Sequence, residues 1–296
     1  MHFLSIRETS KKDLETLLDI ATQIKFGRSW GDMKGKTLIM LFEKPSTRTR
    51  VSFEVAMTQL GGHAIYMDFT GSQISRGETM ADTARVFSRY ADIIMARLYK
   101  HGEMLELSEN STVPVINGLT DVEHPCQALA DVLTIKERNK LGGKLAFIGD
   151  CANNVANSLM LAAAKLGMEV TLICPPGYPP QKEFLEEAKK SGKVEVVTDP
   201  EKGVKGADVI YTDVWVSMGM EEEKAERMKA FVKYQVNQDL VKLAKKDCIV
   251  MHCLPAHRGQ EITSEVLDGK NSAVWDQAEN RLHAQKALLL YLMKQR

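Results

Sequence analysis

The chain is 296 residues long, 44% hydrophobic and 26% charged, which suits a globular protein with room for two ordinary domains. Its 39 basic and 39 acidic side chains cancel, which excludes an extended nucleic-acid footprint and leaves any anion site local. No apolar run approaches the roughly 18 residues that a membrane span requires, and neither a signal block nor an Arg-rich transit segment precedes the first amphipathic pattern. The five cysteines have no CxxC spacing, so reduced thiols in a cytoplasm are expected.

Short apolar or β-branched runs alternate with helical patterns along the whole chain, which predicts an α/β protein with parallel sheets. In chain order the expected strands are 37–42, 64–67, 93–96 and 113–116, then 145–148, 170–174, 194–197, 209–211, 249–251 and 273–274. A helix over 127–138, ending in the sequence NKLGG, marks the expected boundary between two domains, 1–138 and 139–276. A last helix over 277–294 has no strand after it and is expected to pack back onto the first domain.

In open α/β sheets, ligands collect beyond the carboxyl ends of strands. The polar, Gly/Pro-punctuated segments of this chain lie there. They are EKPSTRTR after Phe42, Arg97 after Ala96, NGLTDVEHPCQ after Ile116, GDCANN after Ile148, TDVWVSMG after Tyr211 and HCLPAHRG after Met251. Six such ends predict a site in a cleft between two domains.

Ser46, Thr47, Arg48, Thr49 and Arg50 set three hydroxyls and two guanidiniums between a strand and a helical pattern. That arrangement fits an anion at a helix N-terminus, and it equally fits an N-cap followed by solvated charges. His124 stands before Pro125 at a helix start, with Gln127 able to donate to and accept from an amide-like group. A lone His there is commonly structural, and Arg97 alone reads equally as a surface residue. Only Gly149 stands where a dinucleotide-binding turn would carry three glycines, so the nicotinamide fingerprint is absent. The asparagines Asn153 and Asn154 fit a helix cap. Asp213 opens a Gly-containing loop and can hold an ammonium group. His252 and Cys253, adjacent in a strand, are expected to point to opposite faces, which argues against a shared metal. Arg281 is either a cation of the site or a solvated side chain.

Taken jointly, these segments resemble the aspartate/ornithine carbamoyltransferase family, over essentially the whole chain. The residues 46–50 and the HPCQ sequence of His124–Gln127 match its carbamoyl-phosphate motifs. DVWVSMG, from Asp213, and HCLP, around Cys253, are similar to the ornithine-using members; aspartate-using relatives carry a different loop and a proline in place of that cysteine. GDCANN is less glycine-rich than the GDGNN of many relatives, but Asn154 keeps its spacing to the helix.

The resemblance implies transfer of the carbamoyl group of carbamoyl phosphate to the side-chain amine of L-ornithine, giving citrulline and phosphate. By the same resemblance, Ser46, Thr47, Arg48, Thr49 and Arg97 would bind the phosphate and carbonyl. His124 and Gln127 would hold the carbamoyl group, and Cys253, Leu254 and Arg281 would complete the site. Asn154, Asp213, Ser217 and Met218 would bind ornithine. Gln73 would reach a neighbouring subunit of a homotrimer. Arg97, His124, Asp213 and Cys253 would carry the chemistry, with no metal or cofactor, because carbamoyl phosphate is already activated. The competing readings are a dinucleotide-dependent oxidoreductase, a non-catalytic paralogue, or a carbamoyltransferase acting on putrescine or acetylornithine.

Overall fold

The structure, a computed structural model, describes residues 1–216 and 221–294. The chain divides into two compact units: Met1–Leu133 with Glu279–Arg296, and Thr134–Ala278. Each holds one parallel sheet, as the βα alternation predicts.

In the first unit, strands β1 (Thr37–Phe42), β2 (His63–Asp68), β3 (Ile93–Arg97) and β4 (Val115–Leu119) lie in the order β2-β1-β3-β4. The helices are α1 (Lys11–Lys25), α2 (Thr47–Gln59), α3 (Met80–Tyr90) and α4 (His101–Glu109); α5 (Pro125–Glu137) begins here. Ile39 and Leu41 of β1 and Ile94 and Ala96 of β3 are buried on one face of the sheet with Met80, Ala84 and Phe87 of α3 and Met104 and Leu107 of α4. Their in-register neighbours Leu38, Met40, Ile93 and Met95 are also fully buried. Burial on both faces is what makes these strands read as continuous apolar runs, and each Leu or Ile contributes about 1.5–3 kcal/mol.

In the second unit, β5 (Lys144–Ile148), β6 (Glu169–Ile173), β7 (Val194–Val197), β8 (Val209–Thr212) and β9 (Ile249–His252) take the order β7-β6-β5-β8-β9. Its helices are α6 (Asn154–Lys165), α7 (Lys182–Ser191), α8 (Pro200–Val204), α9 (Lys224–Phe231), α10 (Gln238–Lys242) and α11 (Ser264–Leu267). The last helix, α12 (Val274–Lys294), starts in this unit and ends in the first. Ile148, Ile173, Ile210 and Val250 centre a core that includes Trp215, Phe231, Tyr234 and Val266.

Two expected strands differ by more than one residue at an end. Residues 273–274 form none: Ala273 N–H donates to Val250 O at 2.8 Å and Val250 N–H to Asn271 O at 2.7 Å, after which α12 begins at Val274. The strand expected at 113–116 is Val115–Leu119, since Pro114 has no N–H and only its carbonyl joins the ladder, accepting from Ile94.

The strand orders locate the ligand crevices. In the first sheet the chain reverses direction of growth between β1 and β3; in the second, between β5 and β8. Beyond the carboxyl ends of such a pair the connecting loops part in opposite directions and leave a crevice. Residues 43–49 and Arg97 occupy the first crevice; residues 149–154 and Asp213 occupy the second.

Candidate functional site

The first half-site is built on the N-terminus of α2. Ser46 is extended (φ −160°, ψ 114°), and its Oγ accepts from Thr49 N–H at 3.3 Å, capping the helix whose first turn is Thr47, Arg48, Thr49 and Arg50. Thr49 is buried, Ser46 and Arg48 are half-buried and Thr47 is exposed. Arg50 turns away, its Nε on Glu54 Oε1 at 3.0 Å and its guanidinium 3.8 Å from the Tyr66 ring centroid.

Arg97 ends β3, buried, with its Nε donating to Lys44 O at 3.1 Å while its own carbonyl accepts from Glu43 N–H at 2.9 Å. The turn after β1 and the end of β3 are thereby stitched together. A register shift in the β3–β4 ladder falls between Ala96 and Arg97. Gly118 lies opposite: a Cβ there would come within 2.6 Å of Met95 Sδ and 3.1 Å of Ala96 O. Only glycine admits this close approach.

Pro125 opens α5, and His124 O accepts from Gln127 and Ala128 N–H at 3.0 and 3.2 Å. Arg281 of α12 ties the segments together: Nη1 donates to Gln127 Oε1 at 2.7 Å and Nη2 to Thr49 Oγ1 at 3.1 Å. Gln127 Nε2 in turn donates to Asp131 Oδ1 at 2.7 Å, so Asp131 sets its amide orientation. Burial, reinforced by the positive charges of Arg281, Arg97, Lys44 and Arg48, holds the His124 imidazole well below the usual histidine value. It is therefore neutral at physiological pH, with one N–H to donate, in a strongly electropositive pocket. Cys126, between them in sequence, points into the core with its thiol on Asn117 O; burial pushes it up to about 12, which leaves it inert. Gln73 is exposed at the start of a short 3₁₀ turn.

The second half-site gathers at the ends of β5, β8 and β9. After β5 the chain turns at Gly149 (φ 135°), and Asn153 caps α6, its Oδ1 accepting from Ala156 N–H at 2.7 Å. Asn153 Nδ2 reaches Asp213 Oδ2 at 3.2 Å; Asn154, singled out from the sequence, is the half-buried first residue of α6. Asp213 Oδ1 accepts from the Cys253 thiol at 2.9 Å and from Val214 N–H at 2.8 Å. Burial pushes its carboxyl above the usual aspartate value, against the opposing effects of His252, the thiol and the Val214 amide. Ser217 and Met218 lie outside the described residues.

The parts played here by two residues escape a reading of the sequence. His252 is fully enclosed, with Nε2 on Glu261 Oε1 at 3.1 Å and Nδ1 accepting from Leu254 N–H at 2.8 Å. It fixes the turn that presents Cys253 and Leu254, whose φ is +58°. The expectation that His252 and Cys253 diverge is corrected. β9 ends at His252, strict alternation stops there, and Asp213, His252 and Cys253 each bring a donor atom within 4.8 Å of the others. A cation held there would displace the thiol proton and the Asp213–Cys253 hydrogen bond. The second is Arg227 of α9. It donates to Asp150 Oδ2 and Glu223 Oε2, both at 2.7 Å, and to Trp215 O at 3.1 Å, fixing the turn after β5 and the residues after Asp213. Its surroundings, EEEKAERMK, look like a solvated charged face, and a signal exists only in three dimensions.

One half-site is thus a cationic cradle on a helix N-terminus with fixed donors; the other is a buried carboxylate beside a thiol. The comparisons agree with that division. The profile of the aspartate/ornithine carbamoyltransferase carbamoyl-P binding domain matches residues 1–137, and that of the Asp/Orn binding domain matches residues 141–292. The chain is 55% identical to an ornithine carbamoyltransferase of Anoxybacillus flavithermus, covering 98% of this chain and 96% of that one. It is 54% identical to the anabolic ornithine carbamoyltransferase of Pyrococcus furiosus, over 98% of this chain and 95% of that one. The solved structure of ornithine carbamoyltransferase from Pyrococcus furiosus superimposes with a TM-score of 0.91 over 97% of this chain and 95% of its own, at 53% identity. That of the anabolic enzyme from Campylobacter jejuni gives 0.93 over 100% and 99%, at 42% identity. With both domain profiles matched and whole-length relatives above half identity, the chain belongs to the aspartate/ornithine carbamoyltransferase family.

Proposed function

We propose that the chain is an ornithine carbamoyltransferase, moving the carbamoyl group of carbamoyl phosphate to the side-chain amine of L-ornithine to give L-citrulline and phosphate. The observation that carries this reading is the bonded set Thr49, Arg281 and Gln127, beside Arg97 and His124. It supplies fixed donors for a phosphate and for a carbonyl in one electropositive place. The first unit takes carbamoyl phosphate and the second takes ornithine.

Ser46, Thr47, Arg48 and Thr49 cradle the phosphate with the α2 N-terminus, and Arg48 stabilises it as it leaves. Arg97, Thr49 and the neutral His124 donate to the carbonyl oxygen, on which negative charge grows as the amine attacks. Gln127 holds the carbamoyl amide, and Arg281 orients Gln127 and Thr49. Leu254 flanks the group. In the acceptor half, Asp213 holds the ammonium form of the side chain, and Cys253 orients it; Asn154, Ser217 and Met218 engage the amino-acid end. An alkylamine of pKa about 10 must lose a proton before attack. The raised pKa of Asp213 makes its carboxylate a better acceptor for that proton than an ordinary aspartate. The new C–N bond forms as the bond from the carbamoyl carbon to the phosphate oxygen breaks; the phosphate departs with that electron pair and takes the second proton of the attacking nitrogen, which leaves the neutral ureido group and hydrogen phosphate.

No metal or cofactor enters this scheme. The working form is a cytoplasmic homotrimer, to whose neighbouring site the exposed Gln73 contributes, and the reaction serves arginine metabolism. The deciding assay offers carbamoyl phosphate with ornithine, putrescine, acetylornithine and aspartate in parallel. Ornithine is expected to be carbamoylated fastest by at least about a hundredfold, since unmatched polar groups in a built site cost that much. Preference for another acceptor would overturn the assignment.

A further inference from the structure

The sequence around His124 is positioned by a residue that the reaction scheme leaves unused. Residues 3–6 run beside β4: Phe3 N–H donates to Val115 O at 2.8 Å, and Phe3 O accepts from Asn117 N–H at 2.9 Å. Asn117 Nδ2 donates to Leu4 O at 2.8 Å. The segment then turns onto Glu123, a carboxylate only 1% exposed, which accepts from Ser5 Oγ and, at 2.9 Å, from Ile6 N–H. Ser5 is itself held, its Oγ accepting from Arg7 N–H at 2.9 Å and its carbonyl from Thr9 Oγ1 at 2.7 Å. The main chain of Glu123 closes the turn after β4, its carbonyl accepting from Thr120 N–H at 2.9 Å. The next residue is His124, whose carbonyl starts α5 and so sets the position of Gln127.

We propose that Glu123 is a positioning residue for the carbamoyl group: clamped by Ser5 and Ile6, it sets where the β4–α5 turn delivers His124 and Gln127. This rests on the assignment of those two side chains to the carbamoyl group. The phosphate cradle at the start of α2 hangs on a different turn, so the two ends of carbamoyl phosphate respond differently when the clamp is released. That separation distinguishes positioning from general support of the fold.

The test is calorimetric titration of carbamoyl phosphate and of inorganic phosphate, without ornithine, into the parent protein, E123A, E123Q and S5A. E123A is expected to bind carbamoyl phosphate about tenfold more weakly, while its phosphate affinity stays within about twofold, because misplaced donors penalise only the group they address. E123Q can accept from Ile6 N–H and donate to Ser5 Oγ, and is expected to restore parental affinity. S5A keeps the carboxylate but loses one of its donors, and should show the same selective loss, about threefold. If E123A does not fold, S5A decides by the same comparison. Parental carbamoyl phosphate affinity in folded E123A or S5A, or equal weakening of both ligands, overturns the proposal. A parent protein that binds phosphate but not carbamoyl phosphate overturns the functional assignment as well, which separates the two failures.

Discussion

His124 shows how far a single residue's chemistry depends on its neighbours. In sequence it is one His before a proline. In the structure, burial and the charges of Arg281, Arg97, Lys44 and Arg48 favour its neutral form, which suits the hydrogen-bond donor of the proposed reaction better than an acid. Replacing it with Ala is expected to lower kcat about a hundredfold or more, the usual cost of losing one donor to a developing oxyanion. The same shift affects stability. With the folded pKa below the unfolded one, the unfolded chain binds more protons between the two values, so stability rises with pH through that window. It is lost as pH falls below about 6.5, with a slope of up to about 1.4 kcal/mol per pH unit. H124N should flatten that part of the stability curve measured by denaturant titration; an unchanged slope would mean that His124 is not held neutral. At Cys253, the thiol bond to Asp213 predicts that C253S shifts the acid limb of the kcat profile. An unchanged rate and profile would exclude the thiol from any proton role. Arg227 was hidden among charges, yet it is nearly enclosed and bonded to the buried Asp150. R227Q is expected to cost about 3 kcal/mol or more in unfolding free energy, since it leaves that carboxylate buried and uncompensated.

At the scale of elements, the strands were legible because parallel strands buried on both faces read as unbroken apolar runs. Of the expected ones only 273–274 failed, where a two-residue run is too short to tell an extended pairing segment from the first residues of a helix. The helix starts at Ser46 and Pro125 were legible from local capping chemistry. S46A should cost about 1 kcal/mol through the lost cap and also weaken inorganic phosphate binding; calorimetry and thermal unfolding separate the two effects. What sequence could not reveal is the fit of one element against another. Gly118 falls in the segment expected after the strand, but it lies within β4, and β3 passes so close that a methyl group would press on Met95 and on the backbone of Ala96, next to Arg97. G118A is expected to destabilise the first unit by about 1–3 kcal/mol, with a fall in carbamoyl phosphate affinity as Arg97 shifts.

For the molecule as a whole, the order of strands decides where function sits. Each sheet reverses its growth at an interior strand pair, and the polar segments after those strands are the ones with chemically useful side chains. The first unit also depends on the far end of the chain, since Arg281 supplies bonds to both Thr49 and Gln127. Deletion of residues 279–296 should therefore abolish phosphate binding along with stability of that unit, whereas R281Q should weaken binding in a unit that still folds. Sedimentation of the intact protein at three times the 33.1 kDa chain mass would support the trimer; a monomer with full activity would exclude a contribution from Gln73 of a neighbour. The amino-acid sequence by itself determined the α/β class, most of the strands and the motifs that mark the family, because periodicity, capping and turn chemistry act over a few residues. Only the tertiary structure decided that Arg281 meets Gln127, that Asn153 meets Asp213, and that His252 and Glu261 brace the turn of Cys253. Those pairings bring together groups far apart in the chain, and their charges and burial act through space, where sequence distance carries no information.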